Sequence, residues 1–424
     1  MADPIIFHVD VNSAFLSWEA VRRLKEDPSA IDIREIPSAI GGDEKARHGI
    51  VLAKSISAKR CGVKTGEPLV QAKRKCPNLS IFSPDFSVYV ESSSKFIAIL
   101  KEVAPVVEQF SIDEAFCDMT GTTSLYGDPV AFAHQLKDRI YRELGFTVNI
   151  GISSNKLLAK MASDFEKPNK VHTLFPDELP QKFWPLPVSD LLYVGNSTTR
   201  KLRSFGITTI GDLAHTEKSS LISLFKSQGE MMWNYANGID SSPVVSERAA
   251  NKCYGNSLTI HFDVTDSETA KHVLLSLCET VGTRIRADKV FVSVIQVTIT
   301  DCEFHQMSHQ MTLPSPTNVT EKIYQCACKL FDEAWNHVPI RLLGVSTSKP
   351  TQDTYEQYDL FDRDKFERLS RLNSAVDSIR DRFGDDSIKR ACFLETDDIT
   401  PPSNHLKGGL NYEKQKAKRT QKKE

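Results

Sequence analysis

The sequence predicts an α+β fold divided into several domains. Its 424 residues exceed what one hydrophobic core usually organises, so more than one compact unit is expected. Up to about residue 170, short apolar runs typical of strands alternate with segments of helical periodicity. After residue 253 a second series follows in the order strand, helix, strand, strand, helix, strand, which is the βαββαβ pattern of a split βαβ domain.

The first series should form a sheet that carries acidic residues. Residues 5–9 (IIFHV) are predicted as a buried strand that delivers Asp10 to its end. Residues 111–116 (SIDEAF) are predicted to cross a turn into another strand. The remaining predictions are helices at 12–25, 90–103 and 132–144 and strands at 106–110 and 147–152. We expect helices to cover one face of this sheet.

The rest of the chain divides by composition. Residues 26–77 are rich in Gly, Lys and Arg, and residues 186–213 are predicted as short helices joined by turns at Gly195 and Gly206. A loose linker is predicted at 243–252. The later domain, 253–350, should have helices at 266–287 and 319–337, and a further helix is predicted at 365–382. A basic tail, predicted to be disordered, ends the chain.

Composition excludes several classes of protein. Net charge is only −2, so the totals alone do not indicate a nucleic-acid binder. The nine cysteines are irregularly spaced, and no second Cys or His pair accompanies Cys326 and Cys328, so reduced thiols are expected rather than disulfides or zinc. No signal peptide and no apolar run of about 20 residues is present. We therefore expect a soluble, cytoplasmic protein.

Three carboxylates are the candidates for catalysis. Asp10 ends the first predicted strand, and Asp113 and Glu114 are adjacent at a strand turn. Neighbouring acids repel each other unless a cation lies between them, and hard oxygen ligands favour magnesium. Two such ions can hold the attacking and leaving oxygens of a phosphoryl transfer. An Asp-Glu pair is also common in solvated turns, so the dipeptide alone does not decide between the two interpretations.

Four ordered blocks are more specific. They are residues 9–15 (VDVNSAF), 105–116 (PVVEQFSIDEAF), 148–164 continuing to Lys167-Pro168, and 194–214. Together they resemble the Y-family DNA polymerases, which copy past damaged template bases, and the Asp-Val-Asn form is similar to the bacterial polymerase IV and polymerase V branch. The resemblance covers about residues 5–350. It implies a right-hand polymerase with a ferredoxin-like palm, small fingers, a helix-hairpin-helix thumb and a βαββαβ little finger.

The resemblance also implies domain limits. They are 1–25 and 78–170 for the palm, 26–77 for the fingers, 171–242 for the thumb, 243–252 for a linker, 253–350 for the little finger and 351–424 for a C-terminal segment.

Roles for individual residues follow from the same resemblance. Asp10 and Asp113 would bridge two Mg²⁺ ions, Glu114 would hold the catalytic ion, and the Val11 carbonyl would add a ligand. Phe15 falls at the family's steric gate, whose ring leaves no room for a ribose 2′-OH. Phe15 also fits the apolar face of the following helix, so a core role is the alternative.

Further residues are implied on the nucleotide side. Ser13 and Ala14 precede the gate in the nucleotide-binding motif. Lys160 is the first choice for a triphosphate contact. Lys156, four residues earlier on the same predicted helix face, is the second.

The sequence departs from the family in the finger motif. Many members have Tyr and Arg there, which contact the triphosphate, whereas this chain has Ile56 and Lys59. Lysine retains the charge but lacks the bidentate geometry of arginine. Lys54 or Arg60 could compensate. We expect weaker nucleotide binding but not an inactive enzyme, because all three acids are present.

Two other features imply macromolecular partners. Glycine turns at Gly195 and Gly206 would let backbone N–H groups approach a DNA phosphate, although Tyr193 stands where the family often has Gly. Residues 357–361 (QYDLF) resemble the peptide by which bacterial polymerases bind the sliding clamp, with Leu360 and Phe361 entering an apolar pocket and Gln357 hydrogen-bonding beside it. Packing of that Leu-Phe pair on the protein itself is the alternative.

The sequence thus predicts a magnesium-dependent, template-directed, low-fidelity DNA polymerase. Its expected ligands are primer-template DNA, a dNTP and the sliding clamp, and it is expected to be a monomer that does not associate with membranes. Two alternatives remain open. One is a catalytically silent relative that bridges damaged DNA and the clamp, and the other is a nucleotidyl cyclase, which also uses paired acids on a similar palm.

Overall fold

The protein forms two compact units. The computed structural model describes residues 4–42, 47, 49–247, 249–352, 363–384 and 387–393. The first unit comprises Met1–Ile40, Val51–Thr65 and Ala72–Arg248, and the second comprises Gly41–Ile50, Gly66–Gln71 and Ala249–Glu424. Across the described ranges, no helix combines the length and the apolar character needed to cross a bilayer.

Strands and short helices alternate through the first half of the chain. The strands are β1 (Ile6–Val11), β2 (Ser38–Gly41), β3 (Val51–Lys54), β4 (Ser80–Phe82), β5 (Val106–Gln109), β6 (Glu114–Asp118), β7 (Val148–Ser153) and β8 (Val171–Thr173). The helices are α1 (Ala14–Glu26), α2 (Ile56–Arg60), α3 (Leu69–Lys75), α4 (Phe86–Val103), α5 (Thr123–Tyr126), α6 (Pro129–Leu144), α7 (Lys156–Ser163), α8 (Asn196–Ser204), α9 (Ile210–His215), α10 (Lys218–Phe225) and α11 (Ser227–Ala236).

A five-stranded sheet in the order β5-β6-β1-β7-β8 organises the first unit. Its central strand, β1, pairs antiparallel with β6 and β7 and is buried along its whole length. Because side chains alternate along a strand, Phe7, Val9 and Val11 enter the main core together with residues of α1, α4 and α6. His8 and Asp10 therefore occupy the opposite face. A smaller sheet in the order β3-β2-β4 combines two strands of the predicted finger region, 26–77, with β4, which lies just after it.

The expectation that helices cover one face of the main sheet is wrong. Helix α7 packs on the second face, where Ala159 clusters with Ile6 and Phe116. Gly151 of β7 permits this approach, since a Cβ there would lie only 2.0 Å from the Ala159 carbonyl oxygen. This second face carries the polar side chains of β1, so α7 encloses a polar layer that hydrophobic periodicity does not reveal.

The region after β8 is helical and has its own core. Buried residues of α7, α9, α10 and α11 cluster around Phe183, Leu202 and Leu221. Gly206 has a φ of +81° just after α8, a left-handed conformation that favours glycine, whereas Gly195 caps the start of α8 with a φ of −83°. The predicted short helices are present, and of the two predicted glycine turns only Gly206 requires the left-handed backbone.

The second unit contains the predicted βαββαβ series. Its elements are β9 (Cys253–Val264), α12 (Ser267–Ala287), β10 (Phe291–Asp301), β11 (Gln306–Thr317), α13 (Thr320–Ala334) and β12 (Ile340–Thr351). The antiparallel sheet has the order β11-β10-β12-β9, and α12 and α13 bury their apolar side chains against it. The prediction of this domain from hydrophobic patterning is confirmed.

A last helix, α14 (Arg363–Phe383), joins this second unit through charged contacts. The Arg286 guanidinium of α12 donates to both oxygens of Asp377, at 2.6 and 3.0 Å. The Asn373 side-chain oxygen accepts from the Thr320 amide at 2.9 Å, at the start of α13. These largely buried contacts tie α14 to both helices, so the helix predicted at 365–382 is part of the folded unit.

Candidate active site

The pairing of β1 with β6 brings the three predicted acids together. Asp10 lies directly opposite Glu114 in the strand register, and the Val11 amide donates to the Asp113 carbonyl at 3.0 Å. Opposed residues of an antiparallel pair have their side chains on the same face, with Cβ atoms about 5 Å apart. Asp113 precedes Glu114 in the turn and interacts electrostatically with both other acids. The structure thus brings Asp10 to the adjacent pair Asp113 and Glu114, which lies about a hundred residues later in the sequence.

Two lysines neutralise part of this charge. The Lys160 Nζ of α7 lies 3.2 Å from Glu114 Oε2 and 3.6 Å from Asp10 Oδ2. The Lys167 Nζ lies 2.7 Å from Asp10 Oδ2 and 2.8 Å from Asp164 Oδ1. Burial alone would lower the pKa of each lysine, but the carboxylates outweigh it and raise both pKa values. Both ammonium groups are therefore charged at neutral pH.

Glu114 also contacts a buried histidine. His8 Nε2 lies 3.3 Å from Glu114 Oε2, and His8 Nδ1 lies 2.7 Å from the Ser163 hydroxyl. Burial would raise the pKa of Glu114, but the hydrogen bond to His8 and the charge of Lys160 lower this pKa to about 2. Burial is the largest influence on His8 and lowers its pKa. An ionised Glu114 thus faces a neutral imidazole.

Asp113 is held differently. Its carboxylate accepts from the Ser111 hydroxyl at 2.6 Å. Burial raises the pKa of Asp113, and the negative charges of Asp10 and Glu114 raise it further, against the opposing effect of the Ser111 hydrogen bond. Asp113 and Glu114 therefore have opposite pKa shifts, because Glu114 contacts His8 and Lys160 whereas Asp113 has chiefly the Ser111 hydroxyl to offset its burial.

The residues present fit a divalent cation of the magnesium class. Every candidate donor is a hard oxygen, and the three acids are close enough for Asp10 and Glu114 to raise the pKa of the buried Asp113, so a cation between them would offset this repulsion. No three His, Cys, Asp or Glu side chains in the described part of the chain are arranged as a ready-made metal site. Lys160 and Lys167 contact two of the three carboxylates, so these ammonium groups would have to move away from them before cations could bind.

Family models match most of the chain. The impB/mucB/samB family model matches residues 9–164, its C-terminal domain matches 251–360, and the thumb domain of DNA polymerase iota matches 189–240. A DNA polymerase IV from Clostridium acetobutylicum is 47% identical over 93% of this chain and 99% of the relative. The chain belongs to the Y family of DNA polymerases.

Other relatives agree with this Y-family assignment. A DNA polymerase IV from Acetivibrio thermocellus is 37% identical over 92% of this chain and 98% of its own length. A solved Y-family polymerase chimera matches with a TM-score of 0.70 at 21% identity, covering 82% of this chain and 100% of that one, and so confirms the predicted fold. As a Y-family member, this chain is a DNA-directed DNA polymerase of translesion synthesis that acts on DNA and uses divalent metal ions.

Phe15 of this Y-family chain serves as a core residue and also reaches the surface. It follows Ser13, which precedes α1 with a left-handed φ of 47°, and the buried Ala14. The half-buried Phe15 ring stacks on the buried Tyr89 ring, with centroids 4.6 Å apart. The position of Phe15 is compatible with a steric gate and with a core role, since the ring packs on Tyr89 and is still partly exposed.

The other predicted lysines lie away from the acids. Lys156, at the first position of α7, contacts Glu108 at 2.7 Å and lies over the Phe116 ring. A spacing of four residues predicts that Lys156 shares a helix face with Lys160. In the structure the Glu108 carboxylate on β5 binds the Lys156 ammonium group instead, one turn away from Lys160. Lys59 is exposed on α2, and Lys54 donates to Thr65 at 2.8 Å.

The remaining predicted sites are on or beyond the helical region. A Cβ at Gly195 or Gly206 would meet nothing within 4 Å, so both glycines face open space. Residues Gln357, Leu360 and Phe361 of the predicted clamp peptide, and the basic tail, lie outside the described residues.

Lys167, His8 and Ser163 have contacts that sequence reasoning missed. Lys167 closes one of the Y-family blocks, so its position in that block was a usable signal. A network around Asn149 positions its loop, because the Asn149 amide donates to the carbonyls of Ser163 and Glu166 at 3.0 and 2.7 Å. His8 lies two residues before Asp10 in the predicted strand. Since side chains alternate along a strand, His8 must share the face of Asp10, and this alternation was the available signal.

Proposed function

We propose that this DNA polymerase uses two Mg²⁺ ions bound by Asp10, Asp113, Glu114 and the Val11 carbonyl. The observation that carries the proposal is the direct opposition of Asp10 and Glu114 across β1 and β6, with Asp113 beside them. When bound, the ions would stabilise the charge that develops as the primer 3′-OH attacks the α-phosphate of a dNTP and pyrophosphate leaves. In this arrangement Asp10 and Asp113 would each be ligands of both ions, and Glu114 would hold the catalytic ion.

The two lysines act as internal counterions. Without metal, Lys160 and Lys167 offset the charge of Glu114 and Asp10 at 3.2 and 2.7 Å. Their flexible side chains are free to move once divalent charge replaces theirs, and a triphosphate is then the nearest strong anion. Lys160 and Lys167 would contact the dNTP phosphates, with Lys59 of the exposed α2 as a further contact. Lys156, which is paired with Glu108, would act indirectly by positioning the start of α7.

The predicted domains and partners complete the proposal. The palm (1–25 and 78–170), fingers (26–77), thumb (171–242) and little finger (253–350) would surround primer-template DNA, with Gly195 and Gly206 near its phosphates. Residues 357–361 would bind the sliding clamp. The enzyme would act as a cytoplasmic monomer. Low fidelity is supported by the membership in the Y family, because small fingers would test base-pair shape weakly.

Primer extension by the purified protein tests this function. With Mg²⁺, primer-template and dNTPs, we expect extension that continues past a damaged template base and that EDTA abolishes. A silent bridging relative would bind the DNA without extending it. A nucleotidyl cyclase would turn over nucleotide without any DNA, so DNA-independent turnover would contradict the proposal.

Replacing Phe15 with Val should weaken discrimination against ribonucleotides. The ring is held by Tyr89, and its removal opens space for a 2′-OH, so the dNTP preference should fall by about 10- to 100-fold. The measurement is the ratio of kcat/KM for a dNTP and its matching rNTP. Phe86→Val is the matched control, since Phe86 belongs to the same aromatic cluster but has no proposed contact with the sugar. An unchanged ratio in Phe15→Val would exclude the gate.

A further inference from the structure

We propose that His8 is a positioning residue that orients the Glu114 carboxylate through a Ser163–His8–Glu114 hydrogen-bond chain. The proposal rests on the proposed role of Glu114 as a metal ligand. It assigns to His8 the task of holding that ligand in place before and after cations bind.

The sheet places His8 beneath the site. His8 precedes Asp10 by two residues on β1 and so lies on the same face. In the register it is opposite Phe116 of β6 and Gly151 of β7. Its side chain is fully buried, and the Phe116 ring lies 4.7 Å away between centroids. Close packing on these sides leaves the imidazole little freedom to rotate.

Helix α7 supplies Ser163, the residue at the other end of this hydrogen-bond series. At Gly151 the helix backbone approaches so closely that a Cβ would lie 2.4 Å from the Ser163 amide nitrogen. This approach sets the Ser163 hydroxyl 2.7 Å from His8 Nδ1. The same hydroxyl has the Lys160 carbonyl as a second acceptor at 2.8 Å, within the last turn of α7.

Because the Glu114 carboxylate can only accept hydrogen bonds, it determines which nitrogen of His8 has to donate. An ionised carboxylate only accepts hydrogen bonds, so the 3.3 Å contact with His8 Nε2 is attractive only if Nε2 carries the proton. In that neutral tautomer Nδ1 is an acceptor, so the Ser163 hydroxyl has to donate its single proton to Nδ1 at 2.7 Å and not to the Lys160 carbonyl at 2.8 Å. With the hydroxyl in that orientation, Ser163 holds the Nε2–H tautomer and His8 directs its N–H at Glu114.

His8 and Lys160 contact the same oxygen of Glu114, but only the lysine side chain is free to move away from it. Both contact Oε2, at 3.3 and 3.2 Å. Lys160 is on a flexible side chain and would leave when divalent charge arrives, whereas the buried His8 ring cannot leave. A ligand oriented by a fixed hydrogen bond needs no reorganisation when the metal binds. His8 therefore acts through Glu114 and does not touch the substrate.

Variants of the chain test this role. His8→Phe keeps an aromatic ring beside Phe116 but removes both hydrogen bonds. Ser163→Ala removes only the hydroxyl that contacts His8 Nδ1. We expect His8→Phe to lower kcat by about 10- to 100-fold and to raise the Mg²⁺ concentration for half-maximal activity. The KM for dNTP and the Kd for primer-template should change little. His8→Gln, whose amide N–H can replace Nε2–H, should recover part of kcat, and Ser163→Ala should change both readouts in the same direction as His8→Phe.

His172→Phe is the matched control. His172 is on β8 in the same register row as Gly151, and it contacts the Glu166 carbonyl and the Phe165 ring. It should have near wild-type kcat and Mg²⁺ dependence. Thermal melting of every variant separates a folding defect from a positioning defect, and Ser163→Ala tests the chain without altering the sheet.

Glu114→Ala, measured in parallel, separates this proposal from the proposed function. If Glu114→Ala retains full activity, the proposed metal site fails. If Glu114→Ala is inactive while folded His8→Phe and Ser163→Ala both have wild-type kcat and Mg²⁺ dependence, the metal site stands and the positioning role of His8 is overturned.

Discussion

Glu114→Ala should abolish primer extension while binding of primer-template DNA persists. Glu114 faces Asp10 across the strand pair and is fully ionised, since its pKa is about 2. Because Glu114 is a proposed ligand of the catalytic ion, its removal should forfeit several kcal/mol of transition-state stabilisation, which corresponds to a rate loss on the order of 10³-fold or more. Asp10→Ala and Asp113→Ala should behave alike. Single-turnover insertion of one nucleotide measures the loss, and a DNA-binding titration checks the Kd.

A matched acid elsewhere on the first unit provides the control. Glu102 is an exposed carboxylate at the end of α4 that contacts Arg139 at 2.5 Å. Glu102→Ala removes the same charge without touching the site, so its insertion rate should stay within about twofold of wild type. Wild-type insertion by Asp113→Ala or Glu114→Ala would show that the assignment of the acids is wrong.

Gly151→Ala should destabilise the first unit and also impair catalysis. A Cβ at this position would lie 2.0 Å from the Ala159 carbonyl oxygen and 2.4 Å from the Ser163 amide nitrogen. Both are backbone atoms, so no side-chain rotation relieves the overlap and α7 must move away from the sheet. We expect a loss of about 3 kcal/mol in the free energy of unfolding. Because α7 carries Lys160 and Ser163, the insertion rate should fall as well, even where the protein remains folded.

Urea unfolding of Gly151→Ala beside Gly195→Ala checks this prediction. Gly195 has a φ of −83°, and a Cβ there meets nothing within 4 Å. Alanine at that position should leave the free energy of unfolding unchanged or raise it slightly. Equal stability of the two variants would contradict the close packing of α7 on β7.

Much of the fold and the acid cluster could be predicted from the sequence because the signals are local. Alternating apolar residues predict strands, and the βαββαβ order after residue 253 predicts the second unit. The motifs around Asp10 and Asp113 identify the acids, and the register that sets Asp10 opposite Glu114 follows from strands that end in those motifs. The positions of these carboxylates were therefore predictable to within one residue of a strand end.

The partners of these acids were harder to predict, because they depend on packing between distant segments. Lys156 and Lys160 have the spacing of one helix face, yet Glu108 binds the first and Glu114 the second. Lys167 reaches Asp10 because the loop after α7 folds back over β1. Helix α7 covers the sheet face opposite the main core because Gly151 admits it, and one glycine in an apolar run does not indicate which helix approaches.

Counting the divalent ions bound by the closed complex is the sharpest test of whether the three acids hold a pair of metal ions. Mn²⁺ replaces Mg²⁺ as the probe, and electron paramagnetic resonance counts the bound ions on protein held with a 3′-blocked primer-template and the matching dNTP. We expect two ions per wild-type protein and fewer for Asp113→Ala. An Asp113→Ala protein that still binds as many ions as wild type, with equal affinity, would contradict this expectation.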